Sequence, residues 1–191
     1  MSSKKGNLYQ MILAAMFLAL ALVLPLLTGQ IPQIGSALCP MHIPVLLCGF
    51  FCGPWYAGAV GAIAPLLRSA MFGMPPMMPT GIAMCFELAT YGLVAGLLYK
   101  HLPKRNAYVY VSLVGAMAAG RAVWGAVRVV LYGLGKSEFG WAAFMSGAVI
   151  NAIPGILVQI ILIPILVMIL KKYTAAANAI PKVVAGSHNG V

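Results

Sequence analysis

The sequence predicts an all-α integral membrane protein of six transmembrane helices with both termini cytoplasmic, and three observations lead there. Of 191 residues, 62% are hydrophobic and only 7% charged, whereas a soluble domain carries about a quarter of its residues as charged ones. The apolar residues fall in long runs broken by proline, glycine and basic clusters. At ~20 residues per span the chain holds roughly six such runs, and no length remains for a separate soluble catalytic domain. Twelve Lys and Arg stand against two acids, Glu87 and Glu138. The basic residues lie in small groups between apolar runs rather than in one solvated patch, so a membrane topology is expected and a nucleic-acid partner is not.

The first helix is expected over residues 9–28. Lys4 and Lys5 before it imitate the start of a secretory signal, but the run is long and no small-residue cleavage site follows, so it reads as the first span. Gly29, Gln30, Pro32 and Gly35 break it. A short second segment opens at Pro40 and Pro44 and reaches Phe51, Gly53 and Pro54 punctuate it, and a third covers 55–72. Pro75, Pro76 and Pro79 forbid a helix over 73–79, because proline lacks the amide donor and clashes with the preceding turn. The fourth helix is expected over 80–99, ending at Lys100, His101, Pro103, Lys104 and Arg105. The fifth covers 107–132, a polar turn with Lys136 and Glu138 follows, and the sixth covers 141–170, long enough to tilt and to kink at Pro154 or Pro164. Residues 1–172 thus form one transmembrane domain. The small, polar segment 173–191 has no apolar period and is expected to be disordered.

Six spans gather Lys4, Lys5, Lys100, Lys104, Arg105, Lys171, Lys172 and Lys182 on one side and leave Lys136, beside Glu138, on the other. The positive-inside rule makes the first side cytoplasmic. No strong repeat relates the halves, so an inverted-repeat transporter is not supported.

Four charges fall inside the spans: Arg68, Glu87, Arg121 and Arg128. A guanidinium near the bilayer centre costs about 2.5–3.5 kcal/mol on insertion scales, so such residues have partners or a function. Glu87 can neutralise one arginine; the excess of cations calls for an anion. Arginine suits a carboxylate because its planar fork binds both oxygens and keeps its charge in a low-dielectric pocket. Arg121 and Arg128, seven residues apart, share a helix face with Trp124 and Gly125 between them, and the topology puts Arg68, Glu87 and Arg128 toward the outer surface. The alternative is that Arg68 and Arg128 snorkel to headgroups while Arg121 pairs with Glu87. Asn151 and Trp124 supply an amide and a flat apolar surface to a candidate pocket, or else helix-packing contacts. His42, at the outer start of the second segment, is either an interfacial residue or a further ligand contact.

Metal and enzymatic chemistry find little support. Met71, Met74, Met77, Met78 and Met84 with Cys85 surround the loop after the third helix and suggest a soft-metal (copper) permease as a rival. Nearby arginines oppose a cation, and methionine also serves as adaptable packing. Cys39, Cys48, Cys52 and Cys85 read as small buried hydrophobes, and no metal site is expected. The chain contains no aspartate, no serine, histidine and carboxylate arrangement and no phosphate-cradling glycine loop. Catalytic residues are therefore not expected, nor a cofactor, and energy must come from a partner or, for an autonomous secondary transporter, a gradient. Ala15 and Ala19 form a small-xxx-small pair in the first helix, suited to close approach by another helix.

Size, six spans with cytoplasmic termini, the alanine pair, the segment Met41, His42, Ile43, Pro44, Val45, Leu46, Leu47, and the later Gly53, Pro54, Trp55, Tyr56, Ala57, Gly58 together make the chain, over roughly residues 8–172, resemble the substrate-binding S component of an energy-coupling factor (ECF) vitamin transporter. The resemblance implies an S-component-like bundle with an outward-facing pocket built from helices four to six and the outer loops. It implies docking of Ala15 and Ala19 on a transmembrane coupling subunit, and two partner ATPases that hydrolyse the ATP. The arginine excess points to a carboxylate vitamin, pantothenate first, then folate, lipoate or niacin.

Overall fold

In the computed structural model, residues 2–27, 40–103, 105–134 and 153–186 are described. Six helices occupy them: α1 (Ser2–Leu27), α2 (His42–Cys52), α3 (Pro54–Phe72), α4 (Ile82–His101), α5 (Asn106–Leu134) and α6 (Ile153–Gly186). All described regular structure is helical, as in a lipid environment it must be for a chain without a closed barrel. By length and composition α1, α4, α5 and α6 can each cross a membrane, and α2 is a shorter apolar helix. The loop 28–39 with Cys39, the turn carrying Lys136 and Glu138, the start of the sixth helix and Asn151 lie outside the described residues.

Local sequence sets the breaks. Gly53, at φ 88°, turns the chain between α2 and α3, and Pro54 then opens α3 where its missing N–H is no loss. Gly73 ends α3 in the left-handed conformation (φ 68°), its N–H donating to the Ser69 carbonyl, a glycine cap. A wide turn, Met77–Gly81, with Met78 extended at φ −114° and ψ 137°, leads into α4. The sequence expects α4 to begin at residue 80; Pro79 and this turn delay it to Ile82.

The final helix departs from expectation more clearly. It runs without interruption through Pro164 and past Lys172 to Gly186, where a disordered tail is expected. Ala175, Ala176 and Ala177 are the strongest helix formers, and propensity extends a helix where no packing pattern demands it.

The core is built around α4. Helix α3 packs on it through small residues: a Cβ at Gly61 would meet the backbone of Leu88, and one at Gly92 would meet the backbone of Ala57. Close backbone approach of this kind replaces the hydrophobic drive that lipid removes. α2 is buried along nearly its whole length and runs in the direction of α4, since His42 meets Tyr91 and Phe50 meets Tyr99, each edge to face with centroids 5.2 and 5.0 Å apart. α5 packs back along α4, with Gly120 against the Tyr91 ring. On α6, Gly155, Gln159, Ile163 and Val167 repeat every four residues and form its buried face; the intervening Leu157, Ile161, Ile165 and Ile169 are exposed, as a lipid-facing surface requires.

Candidate functional site

The antiparallel register of α4 and α5 places the charges. Glu87 lies opposite Arg121, and seven residues away on each chain segment Thr80 lies opposite Arg128. Two polar centres result, about 10 Å apart along the bundle at 1.5 Å per residue, the second toward the α3–α4 turn.

In the first centre Glu87 is 1% exposed. Its Oε1 is 3.1 Å from Arg121 Nη1 and 3.6 Å from His42 Nε2, so one carboxylate ties α2, α4 and α5 together. Removing water makes an isolated charge costly, and pairing is what allows Glu87 and Arg121 to remain inside. Tyr91, one turn along α4, closes on the His42 ring.

In the second centre the Arg128 guanidinium donates from Nη1 to Tyr132 Oη at 3.2 Å and from Nη2 to Thr80 Oγ1 at 3.3 Å. It also lies over the Trp124 ring at 4.8 Å and the Tyr132 ring at 5.7 Å. Trp124 is buried against Ala83, Val127 and Leu131, which fixes the ring that carries the cation. Hydroxyls and π faces orient a guanidinium without cancelling its charge. Among the described residues the centre is thus a preorganised cation with neutral neighbours, suited to a carboxylate.

Arg68 stands apart from both. It is 4% exposed, donates from Nη1 to the Leu22 carbonyl of α1 at 2.9 Å and lies over the Phe72 ring at 5.4 Å. The structure therefore brings together His42, Glu87 and Arg121, and separately Trp124 and Arg128; it joins Arg68 to neither, and Asn151 is not among the described residues.

Sequence reading missed Thr80 and Tyr132, although Tyr132 follows Arg128 at i+4, the helical neighbour position. It also missed Gln159, a lone amide in the apolar run of α6, now 1% exposed. Ala15 and Ala19 lie on the exposed side of α1, while Ala14, Phe17 and Ala21 face the core. Cys48 and Cys52 are buried free thiols, and Cys85 donates to the Ala62 carbonyl at 3.2 Å. Met71, Met77 and Met78 are exposed around the α3–α4 turn, and among the described residues no three or more His, Cys, Asp or Glu gather as metal ligands do.

The model of a family described as "ECF transporter, substrate-specific component" matches residues 9–167, a span that contains both polar centres. No curated protein and no solved structure matches the chain.

Proposed function

Because this chain belongs to the substrate-specific components of ECF transporters, we propose that it is the high-affinity subunit that captures a small organic anion, a carboxylate vitamin, for ATP-driven uptake. It is a multi-pass membrane transport subunit and not an enzyme. It works with the ECF module and binds a small solute. Pantothenate is the first choice for that solute, followed by folate, lipoate and niacin; the coupling subunit docks on Ala15 and Ala19, and two ATPase subunits hydrolyse the ATP.

The observation that carries the anion reading is the Arg128 centre. Of the arginines within the helices, Arg121 is paired with Glu87 and Arg68 is spent on a backbone carbonyl. Arg128 alone combines a fixed aromatic platform with two hydroxyls and a full positive charge. A carboxylate seated there gains charge-assisted hydrogen bonds from the guanidinium and a neutral one from either hydroxyl.

Native mass spectrometry of gently purified full-length protein is expected to find one organic anion per chain. Arg128→Ala should then weaken its binding by ~1.5–3 kcal/mol, the worth of a hydrogen bond to a charged group. A protein that carries no anion and binds none of pantothenate, folate, lipoate or nicotinate would refute the reading. Uptake by this chain alone, driven by a proton or sodium gradient, would replace it with a secondary transporter.

A further inference from the structure

Gln159 and His42 are among the buried side chains with polar atoms that neither centre uses. Gln159 Oε1 and His42 Nδ1 are shut from solvent and have no hydrogen-bond partner among the described residues. Each such group left unpaired costs about 1–3 kcal/mol, native proteins keep few of them, and lipid supplies no water to relieve the cost.

The two lie in one layer. Lys171 Nζ of α6 sits 4.7 Å from the centre of the Tyr99 ring, and Tyr99 is two residues from the end of α4. Ile163 and Val167 are fully buried in the core and α6 packs on α2 and α5, so it runs from Lys171 back into the bundle rather than away from it. Gln159 precedes Lys171 by twelve residues and Glu87 precedes Tyr99 by twelve. At 1.5 Å per residue both stand ~18 Å from that shared contact. His42 is already at the level of Glu87 through their 3.6 Å approach. Gln159 is on the buried face of α6, so its amide enters the bundle at the depth of His42, about 10 Å from Arg128 measured along the helices.

We propose that Gln159 and His42 form a second subsite that recognises the far end of the solute. This rests on the anion reading at Arg128 and narrows it: the solute carries a carboxylate at one end and, roughly 10 Å away, a neutral group that donates to Gln159 Oε1 and engages His42. A hydroxyl or an amide-like ring edge has that chemistry. Pantothenate, with hydroxyls opposite its carboxylate, and folate, with a donor-rich ring system, satisfy it. Lipoate ends in a dithiolane without a donor, and nicotinate is confined to one ring and cannot span the two centres.

The test uses the full chain in lipid nanodiscs, with pantothenate, folate, lipoate, nicotinate and N-(tert-butylacetyl)-β-alanine, which is pantothenate stripped of its hydroxyls, as probes. The expected tight ligand is pantothenate or folate. Gln159→Leu should weaken it by about tenfold or more while leaving the melting temperature of the ligand-free protein unchanged or higher, because a buried unpaired amide has been removed. If pantothenate is the ligand, N-(tert-butylacetyl)-β-alanine should bind the wild type as weakly as pantothenate binds the variant, and the variant should no longer separate the two. Gln159→Met, which keeps the side-chain length, supplies the same comparison should the leucine variant misfold. Unchanged affinity in folded Gln159 variants overturns the subsite. So does tight binding of lipoate or nicotinate, and in both cases the loss of binding in Arg128→Ala shows that the anion reading survives. Binding of none of the five probes removes the anion reading and the subsite with it.

Discussion

Glu87 Oε1 is shared between Arg121 and His42, and the consequences of removing it differ from those of removing the pair. Glu87→Gln leaves the Arg121 charge without its carboxylate in a buried place, which costs about 3–5 kcal/mol where a buried pair is broken. The double variant Glu87→Gln with Arg121→Gln should regain much of that loss, because no unpaired charge remains. Unfolding of purified protein by denaturing detergent measures both, and a double variant no more stable than Glu87→Gln would show that the pair is not the origin of the effect. At Arg128, Arg128→Lys is expected to resemble Arg128→Ala in ligand affinity more than the wild type, since an ammonium keeps the charge but loses the fork and the stacking on Trp124. The Arg121 and Glu87 pairing was legible in sequence because Glu87 is the acid within the predicted spans. The third member, His42, was not, since its approach depends on α2 lying beside α4, a relation no local pattern encodes. Gln159 was visible as a polar residue in an apolar run, and its burial on the face of Ile163 and Val167 gives it meaning.

Helices α3 and α4 meet backbone to backbone, and that contact holds the α4 charges in place. Gly92→Leu should prevent this packing, because even a Cβ there would collide with the Ala57 backbone and backbone cannot move aside as a flexible side chain does. The expected result is loss of folded, monodisperse protein on size exclusion; a folded Gly92→Leu protein would mean the two helices can separate without cost. On α1 the small residues do something different. Ala15 and Ala19 are exposed while Phe17 is buried, so the pair is not consumed by packing against the described residues, as a docking site for another helix requires. Ala15→Trp should abolish uptake by the assembled transporter and spare ligand binding by the isolated subunit. Loss of both, or of neither, would move the docking surface elsewhere. Element positions were readable because proline, glycine and apolar run length act locally: α3, expected over 55–72, spans Pro54–Phe72, and α5, expected over 107–132, spans Asn106–Leu134. The extension of α6 was not readable from hydrophobic periodicity, since an alanine-rich segment forms a helix without displaying any.

For the whole molecule, the distribution of basic residues carries the orientation. If both termini are cytoplasmic, as that distribution predicts, a fluorescent protein fused after Val191 should mature and glow, and alkaline phosphatase fused at the same place should stay inactive. The reverse pair of results would invert the topology and turn the Arg128 centre toward the cytoplasm. That centre lies near the α3–α4 turn, and the same turn is where a solute arriving from outside would meet the protein if the termini are inside.

Composition and the spacing of its breaks were enough to determine that this chain is a helical membrane protein, with six helices among the described residues, because hydrophobic thickness and backbone hydrogen bonding leave few other solutions. They also determined that its intramembrane charge is positive in excess. Which arginine is neutralised, which is tied to a carbonyl and which keeps neutral neighbours among the described residues was decided by tertiary structure alone. Those outcomes depend on register between α4 and α5 and on contacts across 46 residues from Leu22 to Arg68, and a helix carries no record of its neighbour's register in its own periodicity.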